Sequence, residues 1–407
     1  MAGLARSAGS PVNVGALRER LQILEQDERI DSIKAEILPT ERRGETALHV
    51  TIAEKSPLFL TLAGNNYTTP SIGEGSGEIR LGYRNITGYG DAIFADYHAS
   101  EGLQDGGGSY EIPFTVWDTR FGLSGRGTGS EIIEAPFDDL HIESKTQSYA
   151  VSLHQPVLHS LNTLVELFAI GEYRRSESFL FGDPFSFSLG PERGVARLAL
   201  VRGGALWTRR SAQMVWVVRA QVTGGVDALG ATTHGDHSVP DGRFLAGLLQ
   251  LQCAARLPWL GLQLITRADG QLADDPLLGI EQFSIGGRHT VRGYRESQLV
   301  RDNGVVGSVE LRVPMPLPRF SEWHPTLALA PYYDIGYGVN NDRGLFDDSN
   351  GETLDSAGIG ALVGIAPGLN FEVYWGKSLR SVRQGGAYSL QDDGVHMELR
   401  WTYQGWR

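Results

Sequence analysis

The feature that most constrains this chain is a two-residue hydrophobic period that recurs from about residue 58 to residue 404. Ile79, Leu81 and Tyr83 alternate with Glu78, Arg80 and Arg84, and Leu249, Leu251, Cys253 and Ala255 with Gln250 and Gln252. Phe371, Val373 and Trp375 alternate with Asn370 and Glu372. Val395, Met397, Leu399, Trp401 and Tyr403 alternate with His396, Glu398, Arg400, Thr402 and Gln404. Such a period gives a strand one apolar and one polar face. Sixteen segments of this kind can be marked, near 58–65, 77–86, 90–100, 108–117, 119–128, 142–153, 163–175, 194–205, 211–222, 243–255, 261–270, 304–313, 326–337, 355–365, 370–377 and 394–404. Most are about ten residues long, enough to cross a bilayer when tilted. Long connections near 66–76, 129–141, 176–193, 223–242, 271–303, 338–354 and 378–393 contrast with short ones near 87–89, 118, 206–210, 256–260 and 366–369. Long loops on one side and short turns on the other mark a transmembrane antiparallel barrel. A soluble propeller or sandwich would also alternate, but would bury one strand face in a protein core. Here the polar face repeats Glu, Gln and Arg, as a wet lumen would, while Tyr, Trp and Phe sit near strand ends on the apolar face.

Composition removes other classes. The 52 glycines follow no triplet period and prolines number only 18, which excludes collagen. With 41 % hydrophobic and 21 % charged residues the chain is not wholesale disordered. Its longest unbroken apolar run, Met214–Val218, is far too short for a spanning helix. A net charge of −12 disfavours nucleic-acid binding. Only Lys34, Lys55, Lys145 and Lys377 are lysines, so the remaining basic residues are arginines; genome composition or lumenal ion pairs would each explain this. The single Cys253 excludes an intramolecular disulfide and a cysteine zinc site, and is expected to pack or to face lipid.

Residues 14 to 54 read differently. Asn13 can cap a helix over Val14–Gln26 with Leu17, Leu21 and Leu24 on one face. Two alternating runs follow, Ser32–Leu38 and Ala47–Ala53, joined by a turn at Pro39–Gly44. About 40 residues are too few for a well-stabilised core of their own. An even number of strands brings both barrel ends to the short-turn side, where this unit is expected. Met1–Asn13 contains no apolar stretch of the signal-peptide kind. The expected organisation is a leader or truncated start at 1–11, a small α+β unit at 12–56 and the barrel at 57–407, with a front end missing.

The longest connection, 271–303, is not polar filler. It contains Phe283-Ser-Ile-Gly-Gly-Arg-His-Thr-Val-Arg-Gly-Tyr294, with Ile285, Val291 and Tyr294 for packing and Gly286, Gly287 and Gly293 for sharp backbone. Such a loop can fold back and be buried, and a buried Arg292 then requires a carboxylate or several carbonyls. Val291-Arg292-Gly293-Tyr294 resembles the VRG[FY] motif of the loop that enters the barrel in the BamA-like superfamily. Tyr332-Tyr333-Asp334-Ile335-Gly336 resembles the [FY]xDxG motif of a later strand. Asn85-Ile-Thr-Gly-Tyr-Gly-Asp91 is similar to an N-x-x-G-x-G-D turn of the two-partner secretion transporters. Leu38-Pro39 and Leu48-His-Val-Thr-Ile52 look like the end of their second POTRA (polypeptide-transport-associated) domain.

That resemblance covers about residues 12 to 406 and is to the haemolysin-activator and haemagglutinin-transporter type. It implies a sixteen-stranded barrel with a partial POTRA domain in a Gram-negative outer membrane, in contact with lipid and lipopolysaccharide. The implied activity is secretion of a large β-rich exoprotein by a monomer, without nucleotide hydrolysis or cofactor. It implies that Arg292 pairs with Asp334 in the lumen and that barrel opening depends on the pair. The family normally carries two POTRA domains, a plug helix, a signal peptide and an aromatic end to the last strand; this chain has part of one POTRA domain and ends Gln404-Gly-Trp-Arg407. A barrel-assembly factor shares the loop motif and is the second expectation; a soluble scaffold or an inactive fragment is the third.

Other chemistry is weak. His234-Gly-Asp-His237 offers two imidazoles and a carboxylate in what reads as a surface loop, so no metal is expected. Gly125-Arg-Gly-Thr-Gly129 lacks a following Lys-Ser/Thr and reads as a strand end opening into a loop. Asp105-Gly-Gly-Gly108 and Asp183-Pro184 read as turns, and Pro314, Pro316 and Pro318 as a break in the ladder after Val313. With no G-x-S-x-G and no nucleophile–base set, an enzyme is not expected.

Overall fold

The computed structural model describes residues 13–27, 29–42, 45–236, 238–258, 261–317, 324–341, 350–382 and 386–403. Helix α1 (Val14–Glu25) begins at Asn13, whose side-chain oxygen accepts the Ala16 N–H at 3.0 Å. It buries Leu17 and also Ile23, which the helical stripe of leucines did not include. An antiparallel pair, β1 (Ile30–Pro39) and β2 (Thr46–Glu54), follows.

The rest forms a closed antiparallel barrel. Its first seven strands are β3 (Leu58–Asn65), β4 (Ser76–Arg84), β5 (Ala92–Ala99), β6 (Leu103–Pro113), β7 (Arg120–Glu131), β8 (Glu143–His159) and β9 (Thr163–Leu180). The two-residue β10 (Asp183–Pro184) pairs back onto β9. The wall continues with β11 (Val195–Arg210), β12 (Met214–Val226), β13 (Phe244–Leu257) and β14 (Leu262–Ala273). A long connection then carries the small antiparallel pair β15 (Phe283–Ile285) and β16 (Leu299–Arg301). The wall resumes with β17 (Asn303–Met315), β18 (Thr326–Val339), β19 (Glu352–Ala366), β20 (Leu369–Ser378) and β21 (Val395–Tyr403). Leaving out β10, β15 and β16, sixteen strands form the ring, and β21 closes on β3 from Tyr403↔Leu60 to Glu398↔Asn65.

The alternation becomes inside and outside. On β18, Tyr333, Ile335 and Tyr337 are exposed on the outer surface, while Tyr332 and Asp334 are buried and face the lumen. Ile79, Leu81, Leu249, Trp375 and Leu399 are likewise exposed outside. Cys253 lies on the outer face of β13, paired in register with Trp216, and is buried there.

The small unit touches the barrel on the short-turn side, as the strand count requires. Arg29 Nη1 donates to the Gly90 carbonyl at 2.8 Å, and Gln26 Nε2 to the Leu161 carbonyl at 3.2 Å.

Several local expectations are corrected. Strands β8 and β9 have 17 and 18 residues, well beyond the roughly ten needed to span. Asp105–Gly108 is not a turn but the body of β6, and Gly125–Gly129 is the body of β7. The reason is room in the lumen: a Cβ on Gly107 would stand 2.9 Å from the Arg126 guanidinium, which reaches Asp96 at 2.6 Å and also pairs with Asp105. Asp183-Pro184 forms the short β10 rather than only a turn. The β17 ladder runs through Pro314 to Met315, where Pro314 pairs with Ala328, so Pro314 does not end the strand; Pro318 lies outside the described residues. The turn between β6 and β7 takes residues 114–119, not one residue.

Candidate functional site

The connection after β14 enters the lumen. Gly286, Gly287 and Gly293 have φ of 114°, 98° and 87°, a region where a side chain is strained, and they make its sharp reversals. The loop is closed on itself by the Gly286 N–H to Thr290 Oγ1 at 2.7 Å and the Gly287 N–H to the Val291 carbonyl at 3.1 Å. Ile285, Val291 and Tyr294 have no exposed surface and pack with Leu299, Val306 of β17 and Leu354 of β19.

Arg292 stands at the centre. Its Nε and Nη2 donate to the two oxygens of Asp334, each at 2.8 Å, and its backbone N–H donates to Oδ2 at 3.0 Å. Nη1 reaches Glu310 Oε2 at 2.5 Å and Nη2 reaches Ser308 Oγ at 3.0 Å. The guanidinium carbon lies 3.5 Å from the Tyr332 ring centre and 4.9 Å from that of Tyr374. Glu310 also accepts from Arg312 Nε at 2.7 Å. Two guanidiniums thus meet two carboxylates, with the Arg312 side chain 35 % exposed. Arg292 and Asp334 side chains are 4 % and 0 % exposed. Removing one partner would leave an uncompensated charge, at a cost of about 3–5 kcal/mol.

The residues named from the sequence converge here. Tyr332 gives a ring face to Arg292, and Gly336 leaves the space in which Ile285 and Val291 sit. The Tyr294 hydroxyl lies 2.9 Å from the Asp355 carbonyl and 3.1 Å from that of Arg380.

Sequence reading missed several partners. Glu310, Ser308, Tyr374 and Arg288 carry no motif; Arg288 stacks 4.0 Å from the Tyr374 ring centre and pairs with Glu372 at 2.8 Å. Tyr67 donates to the same Glu372 at 2.9 Å. Glu310, Ser308, Tyr374 and Glu372 were marked only as inward positions on alternating strands, and Arg288 and Tyr67 lie in loops that carry no such sign. Asp302, fully buried at the loop's return, accepts from the Leu277 N–H at 3.0 Å, Gln282 Nε2 at 2.8 Å and the Asn341 N–H at 2.9 Å.

At the outer end of the loop, Arg295 pairs with Asp392 at 2.5 Å and Glu134 at 2.9 Å, joining two further loops. Those hydrogen-bonded partners hold the Arg295 guanidinium above its usual pKa. Burial pushes the Glu296 carboxyl up to about 7, partly offset by the Arg288 N–H, which donates to it at 2.5 Å.

The Asn85–Asp91 segment forms a turn between β4 and β5, as its resemblance implied. Asn85 takes φ 61° and accepts the Gly90 N–H at 2.9 Å. Asp91 Oδ1 accepts the Thr87 N–H and hydroxyl, both at 2.9 Å, and Oδ2 accepts the Tyr110 hydroxyl at 3.0 Å. The His234 Nε2 lies 2.7 Å from the Gly190 carbonyl, and the His234 backbone N–H donates to Asp241 Oδ2 at 2.9 Å; His237 lies outside the described residues. Among the described residues no group of three or more His, Cys, Asp or Glu is placed to hold a metal.

Comparison with known proteins places the chain in a family. The sequence profile of the family described as haemolysin secretion/activation protein ShlB/FhaC/HecB matches residues 44–371. The outer membrane transporter CdiB of Dickeya dadantii (strain 3937) is 23 % identical over 363 residues, covering 85 % of this chain and 62 % of that protein. The hemolysin transporter protein ShlB of Serratia marcescens is 25 % identical over 300 residues, covering 71 % of this chain and 52 % of its own. This chain therefore spans between half and two thirds of the length of those two relatives. The solved structure of CdiB from Escherichia coli superposes with a TM-score of 0.75 at 19 % identity, over 94 % of this chain and 69 % of that one, which is a likeness of fold. The profile match covers most of the chain, from β2 to the start of β20, and with it the chain belongs to the ShlB/FhaC/HecB haemolysin secretion/activation family as an outer-membrane β-barrel of sixteen strands.

Proposed function

We propose that this protein is a two-partner secretion transporter that passes a large β-rich exoprotein through the outer membrane. The observation that supports this most is the lumenal loop held by Arg292 on Asp334 and Glu310, in a chain of this family. In this reading residues 12–56 are part of a POTRA domain in the periplasm, and 57–407 form the pore. Among the described residues β1 and β2 make a two-stranded sheet, so each keeps an edge with unpaired N–H and C=O groups. An extended exoprotein segment can add to such an edge. The lumen, lined by Glu, Arg and Gln side chains, accepts a hydrated chain, and folding outside makes passage one-way without nucleotide. The protein acts as a monomer surrounded by outer-membrane lipid and lipopolysaccharide.

Controlled opening depends on Arg292 seating the loop on the β17–β18 wall, so that the pore opens in step with the exoprotein. Arg292→Ala or Asp334→Ala should therefore leave a folded barrel in the membrane yet abolish most secretion. The test is co-expression with candidate large β-rich exoproteins, with assay of the medium. Normal secretion by both variants overturns the role of the pair. An exoprotein that stays in the cell with the unaltered transporter overturns secretion itself. Loss of other outer-membrane proteins on depletion would favour the assembly reading instead.

A further inference from the structure

The inserted loop has a second anchorage, on the far wall. We infer that Glu281 is a positioning residue that pins the root of the loop to β9 and β11, so that the loop closes the lumen as a strut fixed at both ends; this rests on reading the barrel as a transport pore.

Glu281 Oε1 accepts Arg174 Nη1 at 2.8 Å and Arg202 Nη2 at 2.9 Å, and its Oε2 accepts Arg202 Nη2 at 3.0 Å. Arg174 Nη1 also donates to the Ile280 carbonyl at 2.9 Å. Glu172 holds both arginines from behind, accepting Arg174 Nη2 at 2.6 Å and Arg202 Nε at 3.0 Å. The Glu281 side chain is 7 % exposed and that of Arg202 14 %, so water screens these pairs poorly. The backbone beside Glu281 is fixed as well. Leu277 and Leu278 are 1 % and 2 % exposed and pack with Leu198 and Leu200 of β11 and Phe244 of β13. Gln271 Nε2 donates to the Glu281 carbonyl at 3.1 Å.

Position in the ring shows what this does. From β9 the wall runs β11, β12, β13, β14, β17, β18, β19, β20, so β20 is eighth of sixteen and stands opposite β9. Arg174 lies on β9 and Glu372, the partner of Arg288, on β20. The segment from Glu281 to Arg292 thus crosses the lumen, ionically fixed at Glu281 on one side and at Arg288 and Arg292 on the other. Freeing Arg292 alone leaves the strut attached at its root. Full opening also requires Glu281 to part from Arg174 and Arg202.

The test measures KCl conductance of the full chain in planar bilayers, with heat-modifiable gel mobility to confirm a folded barrel. Glu281→Gln keeps the shape and removes the charge; the open fraction should rise about tenfold, within the usual range of such couplings. Glu281→Asp should restore part of the closure. In a Cys253→Ser background, Glu281→Cys with Arg202→Cys should be open, and joining the two thiols with a short bis-maleimide should close it again. Folded Glu281→Gln barrels that conduct like the unaltered chain overturn the proposal, as does a cross-linked barrel that stays open. No exoprotein enters this measurement, so its failure is separate from failure of the secretion assay.

Discussion

Gly336 shows how a single residue admits the loop. A Cβ there would stand 2.6 Å from Ile285 Cγ2 and 2.9 Å from Val291 Cγ2, both on fully buried side chains that have nowhere to move. Gly376 plays the same part on β20, where a Cβ would stand 3.1 Å from the Gly293 Cα. We expect Gly336→Val to lift the loop from the wall at a cost of about 1–3 kcal/mol, the usual penalty of overpacking. Trypsin should then cut at Arg288 or Arg292, which the native barrel protects; protection equal to the unaltered chain would refute the packing argument. The motif residues Arg292, Tyr294, Asp334 and Gly336 could be named from the sequence. Glu310 could not, because period two says only that it faces inward. Which inward carboxylate meets Arg292 depends on the register of β17 against β18, where Glu310 pairs with Tyr332 and Ser308 with Asp334.

At the scale of elements, the turn at Asn85–Asp91 joins β4 to β5 and receives Arg29 from the small unit. Although burial works against it, hydrogen bonds from Thr87 and Tyr110 keep the Asp91 carboxyl below its usual pKa. Asp91→Ala would leave those donors unmatched and should destabilise the turn by about 1–3 kcal/mol. The urea midpoint of the folded barrel should fall accordingly; an unchanged midpoint would show that the turn does not depend on Asp91. The sixteen wall strands and their order were legible, since alternation is set by neighbouring residues alone; the short β10, β15 and β16 were not. Boundaries were less legible. Asp105-Gly-Gly-Gly108 has turn composition, yet lies in β6 because small residues make room for Arg126, a demand set by β7 and not by the local sequence. The extra length of β8 and β9 could not be read because alternation fails in it: β8 has a register shift between Pro156 and Leu158, and residues 172–180 of β9 are all half-buried.

The whole molecule is a closed wall with lipid outside and a strut within. Closure leaves no strand edge in the hydrocarbon, which the bilayer requires. Val309, exposed on the outer face of β17, tests that orientation: Val309→Arg should destabilise the folded barrel by about 2–4 kcal/mol near the midplane. Unfolding titrations in lipid vesicles would measure this, and a neutral effect would mean that the face does not meet lipid. The sequence by itself determined the strand count and the inward and outward faces, because these follow from local alternation; the pairing of Arg292 with Asp334 came from the resemblance of two short motifs to a known family. The tertiary structure alone decided that the loop crosses to the opposite wall, that Glu281 meets Arg174 and Arg202, and that Glu310 and Glu372 complete the arginine sites. Those contacts join residues 18 to 107 positions apart, and only the closure of the ring brings them together.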